Sequence, residues 1–243
     1  MRRFWDHATL QPTPHGQQLL LDGKPMRLPE GGTLIINPPA LATAIRDEWQ
    51  NAGTAKDGEF NHANDLPLTQ LHTTATHRVA QNRAAIVKSI AAYGESDLLC
   101  YRAVSPQLLR TRQDRTWQPW LDWAALHLDA PLLVAEGIAH KAQPAASIAA
   151  LISAVAKRSD YELAALGVVV PATGSLVLGL ALIEGALDAA QADVIATIDE
   201  AFHTEFWGID AEASARKANL TRDIGQAVRF LKLTRRGFNP ESN

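Results

Sequence analysis

From Leu163 to Ile183 the chain reads LAALGVVVPATGSLVLGLALI, 21 residues without a single charge. No other segment restricts the possible folds as strongly. A stretch of this length matches the hydrocarbon thickness of a bilayer, so it is either a membrane span or the centre of a protein core. Two features favour the core. PATGS, from Pro171 to Ser175, puts turn residues at the middle of the run, where a span needs continuous helix. No basic cluster flanks the run to set an orientation. Two buried helices joined by a turn are therefore expected, with no membrane insertion.

The remaining chain can supply the partners such a core needs. Of 243 residues, 47% are hydrophobic and 20% charged, the balance of a globular protein with a real interior. The formal net charge of −3 creates no field that would draw the chain to nucleic acid. One cysteine excludes an internal disulfide framework and fits a reducing compartment. MRRFWDHATLQPTPHGQQ has no apolar h-region and no transit-peptide character, so a bacterial cytoplasmic protein is expected.

Periodicity divides the chain. Residues 17–37 read as β: QQLLLDGKPMRL is two short runs around Asp22-Gly23, a tight-hairpin dipeptide, and TLIIN follows a Gly-Gly turn. In NPPALATAIRDEWQNA the period changes, and Leu41, Ile45 and Trp49 recur every four residues behind two prolines at a helix start. GTAKDGEFNHAND is a polar loop, and almost everything beyond it reads as helix. One helical pattern closes at Gly94, expected as its C′ residue, another is interrupted at Pro119, and two open on Asp188 and Asp210 as N-caps. The expected fold is α+β, a small β-rich N-terminal domain over residues 1–58 and a larger α-helical bundle over 59–243.

Enzyme chemistry finds little support. Cys100, in SDLLCYRA, lies in an apolar stretch that suits a packed thiol better than a nucleophile, and no histidine stands between His77 and His127. His72 and His77 are five apart, not the three or four that stack metal ligands on one helical face. No phosphate-binding glycine loop and no G-x-S-x-G occurs. ATGS at a helix start could hold an anion on free amides, or could simply cap the helix. Asp199, Glu200 and Glu205 lack the spacing of an acid–base pair, and a solvated helix face is the ordinary reading. Trp117, Trp120 and Trp123 recur every three residues as a stripe expected in the core. Trp49 and Trp207, each beside acids, are either core residues near helix ends or interface anchors. Elimination leaves a protein-binding function, with an enzyme using Cys100 or the Asp199 and Glu200 acids as the alternative. A small-molecule module using the ATGS helix start is the third reading.

The partner comes from a resemblance. RFW at 3–5, LLLDGKPMRLP, LATAIRDEW, LPLTQL, DLLCYRA, WQPWLDWA, TGSLVLGLALIEG, DEAFHTEFWG and AVRFL follow one another from residue 3 to about 233. W-x-P-x-L-D-W and E-x-x-H-x-E-x-W-G do not follow from amphipathicity. Together the set resembles the chaperone family that attends the α subunit of ATP synthase during F1 assembly (F1 assembly factor 2). The resemblance implies an N-terminal β-rich domain, an orthogonal helical bundle, no enzymatic activity and no cofactor. It also implies binding of the unassembled F1 α subunit, and a monomer is expected. The family's functional acid near the W-G motif maps onto Asp199 or Glu200, and its sensitive E-W pair onto Glu48 and Trp49. Glu205 and Trp207, in the same motif, complete the expected contact set.

Overall fold

The computed structural model describes residues 1–29, 31–54, 57–208 and 211–235. It forms two compact units: Met1–Gln81 with the segment from Arg229, and Asn82–Val228.

In unit 1, strands β1 (Ala8–Thr13), β2 (Gly16–Leu21), β3 (Lys24–Pro25) and β4 (Ile35–Ile36) make one antiparallel sheet, with β2 paired to all three others. The hairpin at Asp22-Gly23 forms as expected: φ is +47° and +77°, which the dipeptide tolerates and which matches the strands' twist. β1 was not expected, because ATLQPT contains a proline and no run of β-branched residues. That proline suits an edge. In the observed register Ala8, Leu10 and Pro12 turn their backbone groups away from β2. The Gln50 side chain accepts the Ala8 N–H at 2.8 Å and Pro12 has no N–H to offer, so the edge is blunted against further strand pairing. Helix α1 (Pro39–Asn51) buries Leu41, Ile45 and Trp49, as their spacing requires.

Unit 1 also takes in α2 (His62–Asp65) and α3 (Pro67–Thr73), which the polar loop had seemed to separate from the sheet. The physical reason is that side chains at the end of α1 fasten the start of α3. After α3 the chain continues through a π-helical turn, Thr74–Val79, into α4 (Ala80–Ala91), with non-helical backbone at Asn82 where unit 2 begins.

Among its described residues, the regular structure of unit 2 is helical apart from a two-residue parallel pair, β5 (Tyr101–Arg102) with β6 (Ala135–Glu136). Its helices are the rest of α4, α5 (Gln107–Leu128), α6 (Ala145–Ala156), α7 (Asp160–Thr173), α8 (Leu176–Glu184), α9 (Ala189–Ala196), α10 (Ile198–Trp207) and most of α11 (Ala211–Thr234). The uncharged run becomes α7 and α8, joined at Gly174 in the left-handed conformation (φ +67°). Every residue of α8 from Leu176 to Ile183 is buried, so this helix is the centre of the unit. Among the described residues no helix is long and apolar enough to cross a membrane.

Several local expectations change. α5 runs unbroken through Pro119, and α7 through Pro171. Both prolines lie on exposed faces, where the carbonyl each leaves without a helical partner can bond water. Gly94 is no left-handed cap. It sits in a 3-10 turn, Ala92–Ser96, against α6, where a Cβ would come within 2.7 Å of Leu151 Cδ1. Of the tryptophan stripe only Trp117 is core; Trp120 and Trp123 are half-buried. The segment opened by Asp188 breaks at Thr197 into α9 and α10, with Asp188 capping α9 as expected. Asp210 lies outside the described residues, as does most of the expected polar tail.

Two glycines separate packing from propensity. At Gly179 in α8 a Cβ would meet Val170 Cγ2 at 2.6 Å and Leu166 Cδ2 at 3.1 Å, whereas at exposed Gly167 in α7 it would meet nothing within 4 Å. Gly179→Ala should therefore cost about 1–3 kcal/mol by overpacking. Gly167→Ala should instead stabilise by about 0.5–1 kcal/mol, since alanine prefers helix. Urea denaturation of the two variants checks the opposite signs.

His72 in α3 is buried, with Nε2 3.0 Å from the Ile35 carbonyl, and burial pushes its pKa down to about 4. The unfolded chain takes up this proton near pH 6.5. Between those values the unfolded state binds more protons, so stability present above pH 6.5 is lost as pH falls toward 4. The loss amounts to about 3 kcal/mol for a shift of this size. In His72→Gln, which has no ring to protonate, denaturation midpoints should fall less between pH 7 and pH 4 than in the parent chain.

Candidate functional site

Cys100 closes a 3-10 turn, Leu98–Cys100, and is buried. Burial, aided by the neighbouring Asp97 carboxylate, pushes its thiol up to about 12, so almost no thiolate exists at neutral pH. The ATGS helix start is likewise occupied from within. Asp97 accepts the Val177 N–H at 3.0 Å and Ser175 Oγ accepts that of Leu178 at 3.1 Å, both buried. These are the amides an anion would need at the start of α8. Among the described residues no group of three or more His, Cys, Asp or Glu could hold a metal.

Glu48 and Trp49 end α1 facing inward. The Glu48 carboxylate accepts from the Leu68 N–H at 2.7 Å and from the Thr69 N–H and Oγ1, each at 3.0 Å. It caps α3 from another helix, in place of the side-chain cap α3 lacks at Leu66. Burial raises its pKa, and these hydrogen bonds oppose the rise. Trp49 is buried and donates from Nε1 to Thr69 Oγ1 at 3.1 Å. Its ring lies 5.1 Å from that of Trp5, whose own Nε1 donates to the Trp49 carbonyl. The pair fastens α1 to α3 and the N-terminal segment, with Trp49 buried and Glu48 half-buried.

The four residues of the W-G motif lie together on α10, which packs along the first half of α5 through Phe202 and Asp199. Asp199 is half-buried: its carboxylate accepts from Gln113 Nε2 at 2.8 Å, and Gln113 Oε1 takes the Ala103 N–H at 2.7 Å. One helical turn away, Trp117 Nε1 donates to the Ile195 carbonyl at 2.9 Å. Arg112 lies over the Phe202 ring, 5.2 Å from its centre, and pairs with Glu205 at 2.8 Å. The hydrogen bond from Arg112 lowers the Glu205 pKa.

Beyond this seam the helix faces solvent. Glu200 is exposed and makes no ion pair among the described residues. Phe206 is 55% and Trp207 69% exposed, large values for such rings. His203 packs beside Trp207 with centroids 4.8 Å apart. Leu108, 50% exposed, stands one turn before Arg112 on the same edge of α5. Leu108, Arg112, Gln113 and Phe206 are not among the residues that the sequence alone points to. Phe206 was visible inside the motif, but the α5 residues lie about 90 positions away, and only tertiary packing brings them in. Among the described residues no nucleophile and base meet here. The surface presents rigid aromatic area beside an unpaired carboxylate, which suits adhesion rather than bond-making.

Residues 2–125 match the family model described as ATP12 chaperone protein. The crystal structure of Atp12 from Paracoccus denitrificans is similar over 96% of this chain and 98% of its own, at 38% identity and a TM-score of 0.86. An aspartate-to-lysine variant of that protein matches over the same shares at 37% identity and the same TM-score. A structure from Agrobacterium tumefaciens, solved as a candidate chaperone, matches at 36% identity over 96% of this chain and 86% of its own, again with a TM-score of 0.86. The chain belongs to the ATP12 chaperone family, the family its motifs resemble, and is a chaperone rather than an enzyme.

Proposed function

We propose that this chaperone serves assembly of the F1 sector of ATP synthase in the bacterial cytoplasm, acting as a monomer on the unassembled α subunit. It would hold that subunit soluble until it pairs with β. The observation that carries the reading is the exposed end of α10, where Phe206 and Trp207 stand in solvent on a helix otherwise well anchored. A free subunit exposes the apolar, strand-edged surface it buries in the assembled ring, and such surfaces aggregate. Ordered aromatic side chains cover such a patch at low entropic cost, and Glu200 adds a charge that can select a basic spot on the client. With no hydrolysis to drive release, the client must leave by competition, so the complex has to be weaker than native pairing.

The two motif acids separate structure from binding. The Glu200 side chain makes no hydrogen bond or ion pair among the described residues, so Glu200→Lys should leave the melting temperature within about 1–2 °C, since surface substitutions change stability by about 0.5 kcal/mol or less. It should nonetheless abolish protection of isolated α subunit in a light-scattering aggregation assay, because attraction becomes repulsion across the interface. Asp199→Lys breaks the hydrogen bond to Gln113 and should cost about 1–3 kcal/mol as well, lowering the melting temperature. Trp207→Ala should weaken α-subunit binding at least tenfold with the fold intact, as expected of an aromatic anchor. If Glu200→Lys and Trp207→Ala both protect α normally, the end of α10 is not the client site.

A further inference from the structure

Helices α4 and α6 run antiparallel and are pinned at both ends. At one end Gly94 lets the 3-10 turn approach Leu151 and Ile148 closely. At the other, Arg83 clasps the Asp160 carboxylate and the carbonyls of Ala156 and Arg158. Between the pins lies an open groove of about 610 Å³, floored and walled by Ala84, Val87, Ala91, Ala92, Ile148 and Ile152. Ile152 is 45% exposed although its neighbours on the groove wall are apolar. The small alanines leave the floor open, so a rounded object can settle between the two helices. Pinning at both ends means that the trough exists before anything binds.

Lys88 and Glu95 stand on the rim, both exposed and neither in an ion pair among the described residues. They are separated by about 12 Å along the axis, through the last turn of α4 and the 3-10 turn that follows it. Lys88 stands midway along the apolar trough and Glu95 at its Gly94 end, while Arg83 holds the opposite end, so the rim charge changes sign along the groove and gives it a direction. A strand or an extended peptide gains nothing here, because both walls are helices whose backbone groups are already paired. A helix fits the trough's width, and its macrodipole fits the two charges: N-terminus toward Glu95, C-terminus toward Lys88.

We propose that this groove docks an amphipathic helix of a protein partner, laid antiparallel to α4. The helix carries apolar residues every three or four positions, a basic residue in its first turn opposite Glu95, and an acidic one in its last turn opposite Lys88. The groove shares no residue with the end of α10, so it is a second docking surface and does not depend on which client α10 holds.

The test uses the full chain and two labelled helical peptides, each with leucines at i, i+4, i+7 and i+11. One has lysine in the first turn and glutamate in the last, and the other has the two exchanged. Fluorescence anisotropy should show the first binding about fivefold more tightly, the discrimination two rim charge pairs can supply. The double exchange Lys88→Glu with Glu95→Lys should reverse that preference. Ala84→Trp, placed at an exposed floor position, should fill the trough and remove binding of both peptides while circular dichroism stays unchanged. Absence of binding, equal binding of both peptides by the parent chain, or binding that survives Ala84→Trp overturns the proposal. So does self-association of the parent chain that Ala84→Trp abolishes, since the groove would then be covered by a second copy.

Discussion

A helix buried on every side must have its end amides satisfied from inside the protein, and in unit 2 that constraint falls on Asp97. Its two carboxylate oxygens accept from the Leu99 N–H and the Val177 N–H, each at 3.0 Å, while the Leu98 N–H reaches the Gly174 carbonyl. One fully buried side chain thus closes the turn that carries Cys100 and starts the helix on which the core is built. Burial raises the Asp97 pKa, and the amides of Val177 and Leu99 oppose that rise. Removing it would strand two buried donors, costs that are far larger than the net gain from making the bonds. The apolar run from Leu163 to Ile183 can therefore stay charge-free because its one necessary charge is delivered from a segment 80 positions away.

Unit 1 uses the same device. Glu48 supplies α3 with the cap its own residues lack, and Thr69 links that carboxylate to the Trp49 indole. Asp199 is a third case, a carboxylate that holds Gln113, which in turn holds the backbone at Ala103. The acids of the family's most distinctive motifs are thus largely fasteners between distant segments.

A chaperone without a chemical step depends on keeping apolar surface in solvent without collapsing onto it. On the client surface proposed above, the end of α10, the conflict is resolved by division along the helix. Phe202 is buried under Arg112, and Asp199 is tied to Gln113, so the first turns are held firmly. The Arg112–Glu205 pair is exposed and contributes little stability, but it sets the orientation of the last turn. Phe206 and Trp207 lie at the end of this anchored stretch, largely exposed, with the Phe206 ring 4.6 Å from that of Phe202.

Periodicity and turn chemistry determined what depends on neighbours in the chain. They showed the hairpin at Asp22-Gly23, the face of α1 made by Leu41, Ile45 and Trp49, and the turn that divides the uncharged run into two core helices. They also showed Cys100 as a packed thiol, because its flanks are apolar. Tertiary structure decided what depends on residues far apart. Pro119 and Pro171 could remain in helices because the lost hydrogen bonds face water, and Gly94 serves close packing rather than a cap. β1 forms because β2 offers it a partner, although its own residues have little strand preference. Most of all, the motif acids could be told apart only in three dimensions. Glu48, Asp97 and Asp199 accept hydrogen bonds from segments 20 to 86 positions away. Among the described residues Glu200 does not, and nothing local to a carboxylate in the sequence says whether a distant amide will reach it.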